Sequence, residues 1–185
     1  ITSYTGIEPH GRFMYYYKSG SWLIYDLKRK VETDLSVYIP TPLSTADPSQ
    51  SAFPFPYGLA GFDETGMQLL VYDQFDIWQV DLIKLQAKRL TQGREQGRTY
   101  RLITEAKTLQ DWEGTSLFTP TVLDFEEPLY LSISDEAYRS GFACFANGKL
   151  TDIAFKASKH YSPKITTKGL YYLEEDQDLP PRVMF

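Results

Sequence analysis

The residues of this chain that are best suited to chemistry are acidic. Asp73 and Asp76 stand three positions apart on either side of a predicted tight hairpin turn. Aspartates at such positions cap backbone N–H groups, which is their ordinary structural role in turns. A second acidic run, residues 174–178, offers oxygen ligands of the kind that Ca²⁺ takes, but it lacks the glycine and the ligand spacing of an EF-hand loop. We interpret this run as a solvated acidic turn and predict no metal site.

The sequence also lacks the pattern of a nucleophilic catalyst. No serine has glycine two positions away on both sides, so the nucleophile elbow of an α/β-hydrolase is absent from the chain. His10 and His160 are the only histidines; His10 precedes a glycine in a predicted turn, and His160 stands at the predicted start of a strand. Neither has an evident serine and acid partner. We expect no catalytic residue, no cofactor and no enzymatic activity in this chain.

Composition excludes several classes of protein. The 24 acidic and 19 basic side chains give a formal net charge of -5, whereas a nucleic-acid binder needs clustered Lys and Arg. No apolar run approaches the roughly 20 residues of a membrane helix. The single cysteine, Cys144, excludes an internal disulfide and lies in an apolar run, where we expect it to be buried. Neither nucleic acid nor a membrane is an expected partner.

The elements that position these residues are predicted to be strands. Fourteen tyrosines and eleven phenylalanines, with frequent Gly and Pro, favour strands that are separated by turns. Short apolar runs at 11–17, 22–25 and 68–72 are each bounded by Gly, Asp or Ser. Residues 81–92 have a helical periodicity, but an internal repeat of the chain favours strands over a helix there. The predicted fold class is all-β.

An internal repeat gives the architecture. An offset of 55 residues places residues 6–36 on residues 61–91 without a gap. The identities that it aligns are Gly6 with Gly61, Gly11 with Gly66, Tyr17 with Tyr72, Asp26 with Asp81, and Leu35 with Leu90. Each copy predicts four short antiparallel strands, which is the plan of one β-propeller blade. Residues 81–92 then become a strand end, a turn and a strand.

Two weaker copies follow in the second half of the chain. Residues 129–153 contain three strands, the last two joined by Asn147-Gly148, a strong hairpin dipeptide. Residues 169–185 begin a further blade and end inside its third strand. We predict a partial, open β-propeller of about three and a half four-stranded antiparallel blades, since propellers typically have 4 to 8 blades. The predicted blades are approximately 1–36, 57–91, 99–155 and 160–185.

Because successive strands of a blade run in opposite directions, the loops that join them lie alternately on two faces of this propeller. The turns between first and second strands, and between third and fourth strands, share the first face. The second face holds the loops between second and third strands and the connections between blades. These second-face segments are 18–21, 73–76, 134–140, 174–181 and the proline-rich 37–56. Because long loops commonly carry binding residues, we predict contacts with partners on the second face.

The motifs of the second predicted blade resemble a family of enzymes. The three stretches concerned are 57–62 (YGLAGF), 69–73 (LLVYD) and 75–81 (FDIWQVD). They resemble the propeller of bacterial prolyl-oligopeptidase-family serine peptidases, most of all the dipeptidyl-aminopeptidase and acylaminoacyl-peptidase-like branch. Stretches that fit in the same order are 89–93, 131–136, 140–142 and 172–185. The chain departs from the pattern at Phe62, where the family usually has Trp, and residues 108–118 have no place in it.

The resemblance implies a function and its partners. It identifies the chain as the non-catalytic propeller that admits peptides to a C-terminal α/β-hydrolase domain and excludes folded proteins. That domain and the peptide substrates are the implied partners. Some propellers of this family contact a peptide N-terminus through acidic groups, which makes Asp73 and Asp76 candidate peptide contacts beside their capping role. The alternative is a stand-alone protein–protein binding propeller of the periplasmic transport-associated type, which the blade repeat alone supports.

The N-terminus and the resemblance bear on the origin of the chain. The first residues show neither the basic nor the apolar region of a signal peptide, and the sequence begins with Ile1 and not with an initiator Met. We therefore expect a piece of a longer protein. The resemblance favours a periplasmic or secreted location and leaves a cytoplasmic one open.

An open propeller also has two ends without a neighbouring blade. We expect Phe13, Tyr15, Leu170 and Tyr172 to lie at or near these uncovered ends. Contiguous exposed apolar surface tends to recruit a partner. The chain is therefore expected to self-associate through its open blade ends.

Overall fold

Four antiparallel sheets follow one another along the chain. The computed structural model describes residues 4–45, 54–104 and 121–185. Short turns join most neighbouring strands, so each sheet is a meander, and the fold is all-β as predicted. Within the described ranges, the α-helical part is a single turn, and no helix is long and apolar enough to cross a membrane.

Sheets 1 and 2 contain the two copies of the repeat. The strands of sheet 1 are β1 (Thr5–Ile7), β2 (Phe13–Lys18), β3 (Ser21–Asp26) and β4 (Val31–Asp34). A 3-10 turn, Leu35–Val37, follows β4. The strands of sheet 2 are β5 (Leu59–Asp63), β6 (Gln68–Tyr72), β7 (Ile77–Asp81) and β8 (Gln86–Arg89), and they pair in chain order.

Sheets 3 and 4 use the second half of the chain. The helical turn α1 (Gly93–Gln96) leads from sheet 2 to sheet 3. The strands of sheet 3 are β9 (Arg98–Leu102), β11 (Leu129–Asp135), β12 (Ser140–Ala146) and β13 (Lys149–Lys156). The strands of sheet 4 are β14 (Lys159–Thr166), β15 (Gly169–Asp176) and β16 (Leu179–Met184). The inserted strand β10 (Thr121–Leu123) belongs to sheet 2.

The repeat predicted from the sequence is present in the geometry of sheets 1 and 2. Gly11 and Gly66 both have a left-handed backbone, with φ of 72° and 69°, in the turn between the first and second strands. Asp26 and Asp81 both end the third strand. Each accepts hydrogen bonds from the backbone N–H groups two and three residues later, at 2.8 to 2.9 Å. The predicted equivalence of these two pairs is confirmed.

Residues 81–92 form a turn and a strand, as the repeat predicted, and not a helix. β7 ends at Asp81, the chain reverses, and β8 begins at Gln86. Leu85 closes this reversal with φ of 54°, and Lys30 closes the equivalent reversal of sheet 1 with φ of 59°. A leucine in this conformation ends any right-handed helix, which explains why the helical periodicity has no structural counterpart.

Three apolar cores lie between successive sheets. Large buried side chains in them are Trp22 and Phe62 between sheets 1 and 2, Tyr100 and Leu131 between sheets 2 and 3, and Phe142 and Tyr172 between sheets 3 and 4. Sheets 2 and 3 therefore bury both of their faces. Stacked meanders of this kind form an open β-propeller, since no core of the described residues joins sheet 4 to sheet 1.

The prediction for the residues at the open ends is wrong. Phe13, Tyr15, Leu170 and Tyr172 are only 2% to 5% exposed. Each of them faces the neighbouring sheet of the chain and belongs to one of the three cores. Side chains alternate between the two faces of a strand, so the uncovered faces carry the intervening residues of the same strands. Both alternate sets of these strands are rich in large apolar side chains, so the pattern does not indicate which set faces inward.

The inserted strand covers the free edge of sheet 2. β10 pairs in parallel with β5 and places Thr121 opposite Gly61. A Cβ at Gly61 would lie 2.4 Å from the carbonyl oxygen of Thr121 and 2.5 Å from Leu123 Cδ1, so this approach requires glycine. The sequence did not predict β10. The preceding residues 108–118, which the resemblance left without a place, lie outside the described residues.

We expect Asp26→Ala and Asp81→Ala each to lower the free energy of unfolding by about 1–2 kcal/mol, because each removes the acceptor of two backbone N–H groups. Each aspartate also pairs with a basic side chain, Asp26 with Arg12 at 3.2 Å and Asp81 with Lys84 at 3.4 Å. Asp26→Ala should have the larger effect, because Arg12 is less exposed to solvent than Lys84. Urea denaturation of both variants measures this. Asp178→Ala, at an exposed turn residue, is the control, and equal stability of all three variants would contradict the equivalence.

Candidate functional site

Connections between the sheets cross the second face, as the alternation of strands predicted. The described first part of the connection after β4, residues 35–45, contacts two hairpin turns there. Ser44 donates a hydrogen bond to the carbonyl oxygen of Gly20 in the β2–β3 turn, at 3.3 Å. Thr41 donates to Asp73 in the β6–β7 turn, at 2.7 Å. The second face is therefore a layer of turns fixed to one another by side-chain hydrogen bonds.

Asp73 is the most highly connected residue of this layer. Its side chain is fully buried, and Oδ1 accepts the backbone N–H groups of Phe75 and Asp76 at 2.7 and 2.6 Å. Its Oδ2 accepts three side-chain hydrogen bonds, from Thr41 Oγ1 (2.7 Å), Trp78 Nε1 (3.1 Å) and Arg94 Nη2 (3.2 Å). Five donors thus surround one carboxylate, which joins the turn to two connections of the chain.

Asp76 performs the same task for the connection between sheets 2 and 3. This side chain is also fully buried. Its Oδ1 accepts from the hydroxyl of Thr91 at 2.6 Å and from the N–H of Gly93 at 2.5 Å. Its Oδ2 lies 3.3 Å from the N–H of Arg94 and 3.6 Å from Arg89 Nη1. Asp76 therefore fixes the start of α1 against the β6–β7 turn.

These contacts define a group that we call the Asp73 cluster. Its members are Thr41, Asp73, Asp76, Trp78, Thr91, Arg94 and Arg101. Within it Asp73 and Asp76 have the capping role that is one of the two roles predicted from the sequence. Direct contact with a peptide stays a prediction for both residues, and it requires each carboxylate to give up donors that it now holds.

Burial and hydrogen bonding act on Asp73 in opposite directions. Burial by itself raises the pKa of the carboxyl group. Hydrogen bonds from Thr41, from the backbone N–H of Asp76 and from Trp78 outweigh burial, so the pKa of Asp73 lies below its ordinary value. The group is therefore ionised at neutral pH. Its hydrogen bonds stabilise the fold above the unfolded-state pKa, and this stabilisation is lost as the pH falls through the folded-state pKa.

Arg101 brings a cation to the cluster and donates to carbonyl oxygens. Nη1 lies 2.7 Å from the oxygen of Tyr100, and Nη2 lies 3.0 and 3.1 Å from the oxygens of Asp73 and Gln74. The guanidinium carbon stands 4.7 Å from the centre of the Tyr72 ring. Burial lowers the pKa of Arg101, while Tyr72 and the charge of Asp73 oppose that effect. Arg101 thereby holds the β6–β7 turn against β9.

The Asp73 cluster reaches the protein surface at Arg94, where Phe75 and Tyr57 also lie. The Arg94 side chain is 38% exposed, and its guanidinium carbon lies 5.1 Å from the centre of the Phe75 ring. Tyr57 is half-buried; burial, and then the charge of Asp73, raise its pKa, against the opposing charges of Arg101 and Arg94. A guanidinium stacked on an aromatic ring binds carboxylate and carbonyl groups. The chemistry of this surface is binding, because a guanidinium does not transfer protons at neutral pH.

A second charged group lies between sheets 3 and 4. Glu174 is buried, with Oε1 2.8 Å from Arg182 and Oε2 2.8 Å from Lys156. The Lys156 hydrogen bond, reinforced by Arg182, outweighs burial and holds the pKa of Glu174 below its ordinary value. The prediction of a solvated turn at residues 174–178 is wrong for this residue. β15 extends to Asp176, and strand alternation turns Glu174 towards sheet 3.

Sequence reasoning missed the surroundings of His160. The imidazole is fully buried, with Nδ1 3.0 Å from Ser140 Oγ and Nε2 3.5 Å from Glu174 Oε2, where it makes no aligned hydrogen bond. A serine, a histidine and an acid thus meet, although the sequence offered His160 no evident partners. Ser140 Oγ also contacts the Ser158 carbonyl oxygen at 3.1 Å and accepts the His160 N–H at 3.2 Å. This enclosed arrangement links sheet 3 to sheet 4.

The remaining candidate residues lie outside both charged groups. His10 occupies an exposed turn, with Nε2 2.5 Å from the carbonyl oxygen of Glu64. Cys144 is half-buried on β12, so the expectation that it is buried is met only in part. Its partial burial raises the pKa of the thiol. Among the described residues, no group of three or more His, Cys, Asp and Glu side chains is placed to hold a metal ion.

The arginines of the Asp73 cluster are functional candidates that the sequence did not reveal. Arg94 lies in α1 and Arg101 in β9, and both reach Asp73 only because α1 folds back onto the β6–β7 turn. The sequence signal for this contact was Thr91 followed by Gly93. The hydroxyl of Thr91 and the unobstructed backbone N–H of Gly93 can donate to the same carboxylate oxygen, as they do to Asp76. A buried Asp in the preceding turn was needed to interpret that signal.

Comparisons with known proteins give similar structures but no family. No family model matches the chain, and no curated protein matches it. TolB from Acinetobacter baumannii is 15% identical over 97% of this chain and 39% of its own, with a TM-score of 0.42. Porphyromonas gingivalis dipeptidyl peptidase 4 is 12% identical over 97% and 30%, with a TM-score of 0.46. The N-terminal domain of Nup159 is 10% identical over 97% and 42%, with a TM-score of 0.41.

These similarities are limited in extent. The chain spans less than half the length of each of the three solved structures. Their low identities and TM-scores carry no argument about the function of this chain. The class of protein, an all-β chain of stacked sheets of three to five strands, rests on its own sheets and cores.

The buried His160 predicts a pH dependence of stability. Burial, and then the charge of Lys156, lower its pKa in the folded state against the opposing effect of Glu174. The unfolded chain therefore binds a proton first, and the free energy of unfolding should fall as the pH drops below about 6.5. Urea denaturation between neutral and mildly acidic pH measures the slope.

Two histidine variants separate this effect from other titrations. His160→Gln, which stays neutral throughout, should flatten the slope over this pH range, whereas His10→Gln in the exposed turn should keep it. The comparison uses slopes, so any uniform loss of stability in His160→Gln does not matter. A His160→Gln profile parallel to that of the wild type would contradict the assignment.

Proposed function

We propose that this chain is a non-catalytic β-propeller segment that binds and selects peptides for a serine peptidase. One observation carries the proposal. The three motif stretches that resemble peptidase propellers, residues 57–62, 69–73 and 75–81, lie side by side in sheet 2, with the N–H of Tyr72 donating to the oxygen of Gly58 at 3.1 Å. They meet on the second face at the Asp73 cluster, where the resemblance and the loop argument independently place peptide contacts.

In this proposal the cluster divides into contact and positioning residues. Arg94 and Phe75 are exposed enough to touch a peptide, and the guanidinium offers donors to main-chain carbonyl oxygens or to a terminal carboxylate. Asp73 and Asp76 orient Arg94 by accepting its side-chain and backbone N–H groups. The peptide contact predicted for the two aspartates thus becomes an indirect one, made through the arginine that they hold.

The proposal gives the chain a catalytic partner. The hydrolytic chemistry resides in an α/β-hydrolase domain of the parent protein, and this chain has no peptidase activity of its own. The enclosed Ser140–His160–Glu174 arrangement supports this division, because its imidazole is fully buried and its hydroxyl is already bonded within the fold. A periplasmic or secreted location remains part of the proposal through the resemblance alone.

Peptide binding tests the proposed role directly. The full chain is titrated into a set of fluorescein-labelled peptides, and fluorescence anisotropy measures the dissociation constants. Arg94→Ala should raise the dissociation constant at least about tenfold, since a charge-assisted hydrogen bond contributes roughly 1.5–3 kcal/mol. Arg29→Ala removes an exposed arginine from a first-face turn and should leave binding unchanged. Equal effects of the two variants would contradict a second-face site.

The same assay distinguishes the alternative function. A stand-alone protein-binding propeller should bind none of the peptides with measurable affinity and should instead retain a folded protein partner. Peptides with blocked N- and C-termini show whether the bound group is a terminal charge or the main chain. Loss of binding on blocking the C-terminus is expected if Arg94 holds a carboxylate.

A fluorophosphonate probe tests the absence of catalysis. We expect no covalent labelling and no hydrolysis of peptide substrates by the purified chain, because no serine lies in a nucleophile elbow. Mass spectrometry of the treated protein measures the label. Ser140→Ala is the matched control, and labelling that disappears in this variant would show that Ser140, His160 and Glu174 act as a catalytic group.

A further inference from the structure

A cleft between sheets 1 and 2 opens on the first face of the propeller. Its walls are β2, β3, β4 and the 3-10 turn of sheet 1 on one side, and the β7–β8 turn of sheet 2 on the other. The apolar residues that line it are Phe13, Ile24, Val31, Leu35, Leu82 and Leu85. Both walls belong to sheets that pack on each other within this chain. We call this site the first-face cleft.

The repeat shows that the apolar lining is particular to this junction. The 55-residue offset aligns the sheet 1 residues Phe13, Ile24 and Val31 with Gln68, Gln79 and Gln86 of sheet 2. Sheet 2 thus forms a blade with polar residues at these three positions. Val31 is nevertheless apolar and 53% exposed in sheet 1. The packing of one blade on the next therefore does not account for an apolar residue at this position.

Leu85 lines the cleft in a backbone conformation that is unfavourable for leucine. Its φ of 54° lies in the left-handed region, where glycine or asparagine is usual and a bulky side chain is uncommon. Strained backbone of this kind concentrates at functional sites and ligand clamps. The Leu85 side chain is half-buried and continues the wall that Leu82 begins. Leucine at this position gives the cleft an apolar surface that the less strained glycine would not supply.

The mouth of the cleft is basic. Lys28, Arg29 and Lys30 form the β3–β4 turn on one side, and Lys84 lies in the β7–β8 turn on the other; all four are exposed. The aspartates that end β3 and β7 lie 3.9 Å from Arg29 and 3.4 Å from Lys84. Within the described ranges, neither Lys28 nor Lys30 forms an ion pair. The mouth therefore has a net positive charge, although the chain carries a formal net charge of -5.

We propose that the first-face cleft docks a short acidic segment of a partner protein, with one aliphatic side chain in the cleft and carboxylates at its basic mouth. The cleft has a volume of about 120 Å³. Since an apolar cavity of about 150 Å³ holds benzene, this cleft has room for one leucine-sized side chain. Complementary charge favours an acidic segment over a neutral or basic one. The site lies on the opposite face from the Asp73 cluster and is independent of the peptide role proposed for that cluster.

Fluorescence anisotropy of the full chain with three labelled peptides tests the chemistry of the occupant. The peptides are EELEE, EEAEE and KKLKK, each with an N-terminal fluorescein and an amidated C-terminus. EELEE should bind, and EEAEE should bind at least about tenfold more weakly, because alanine leaves most of the cleft unfilled. KKLKK should show no saturable binding, because its lysines are repelled by the basic mouth. A higher salt concentration should weaken the binding of EELEE.

Two leucine variants locate the site on the protein. Leu85→Ala removes most of one wall of the cleft and should raise the dissociation constant of EELEE at least about fivefold. Leu27→Ala is the matched control: Leu27 is a 42% exposed leucine of the other first-face turn, outside the cleft lining, and its variant should bind like the wild type. The double variant Lys28→Gln with Lys30→Gln should also weaken binding, and this loss should shrink at high salt. Circular dichroism of each variant shows that the strands are retained.

Arg94→Ala keeps this test separate from the proposed second-face function. It should leave the dissociation constant of EELEE unchanged, because Arg94 belongs to α1 on the second face. A wild type that does not bind EELEE, equal binding of EELEE and EEAEE, equal effects of Leu85→Ala and Leu27→Ala, or a loss of binding in Arg94→Ala would each overturn the proposal.

Discussion

Each sheet of this chain has two apolar faces, and the need to cover both of them governs the rest of the structure. A four-stranded meander with large side chains on alternate positions buries one face against its predecessor and the other against its successor. The β6 strand shows this most simply: Leu69 and Val71 belong to the core with sheet 1, and Leu70 belongs to the core with sheet 3. The stacking order, the tight turns and the connections over the second face follow from this two-sided burial.

On the second face, polar side chains fix the connections in addition to apolar contacts such as those of Ile39 and Leu43, which are buried in the core between sheets 1 and 2. Asp73 and Asp76 are ionisable groups placed in a layer of backbone turns, and each gathers donors from segments far apart in the chain. A carboxylate so surrounded is costly to leave unpaired, so the turns hold one another in a single arrangement. The cluster therefore gives Arg94 a fixed direction, which is what a binding surface needs if it is to select among peptides.

Much of the fold could be predicted from the sequence because the residues that the repeat aligns determine local structure. Turn residues such as Gly11 and Asp81 fix strand boundaries through backbone conformation and capping, which depend on near neighbours. Which neighbouring sheet a side chain faces depends on the sheets that lie on either side of its strand. A strand with apolar residues on both of its faces does not show which set faces which neighbour. The prediction therefore placed Tyr15 at an open end. The partners of His160, and the distant partners Thr41 and Arg94 of Asp73, come from other sheets or connections, so spacing along the chain carried no signal for them.

Hydrogen exchange measured by mass spectrometry tests the stacking of the sheets most directly. In dilute protein, we expect β6 and β11 to exchange most slowly, because their sheets are covered on both faces. The corresponding strands of the outer sheets, β2 and β15, are covered on one face and should exchange faster. Equal protection of all four strands, or faster exchange of β6 and β11, would contradict the stacked arrangement on which the account depends.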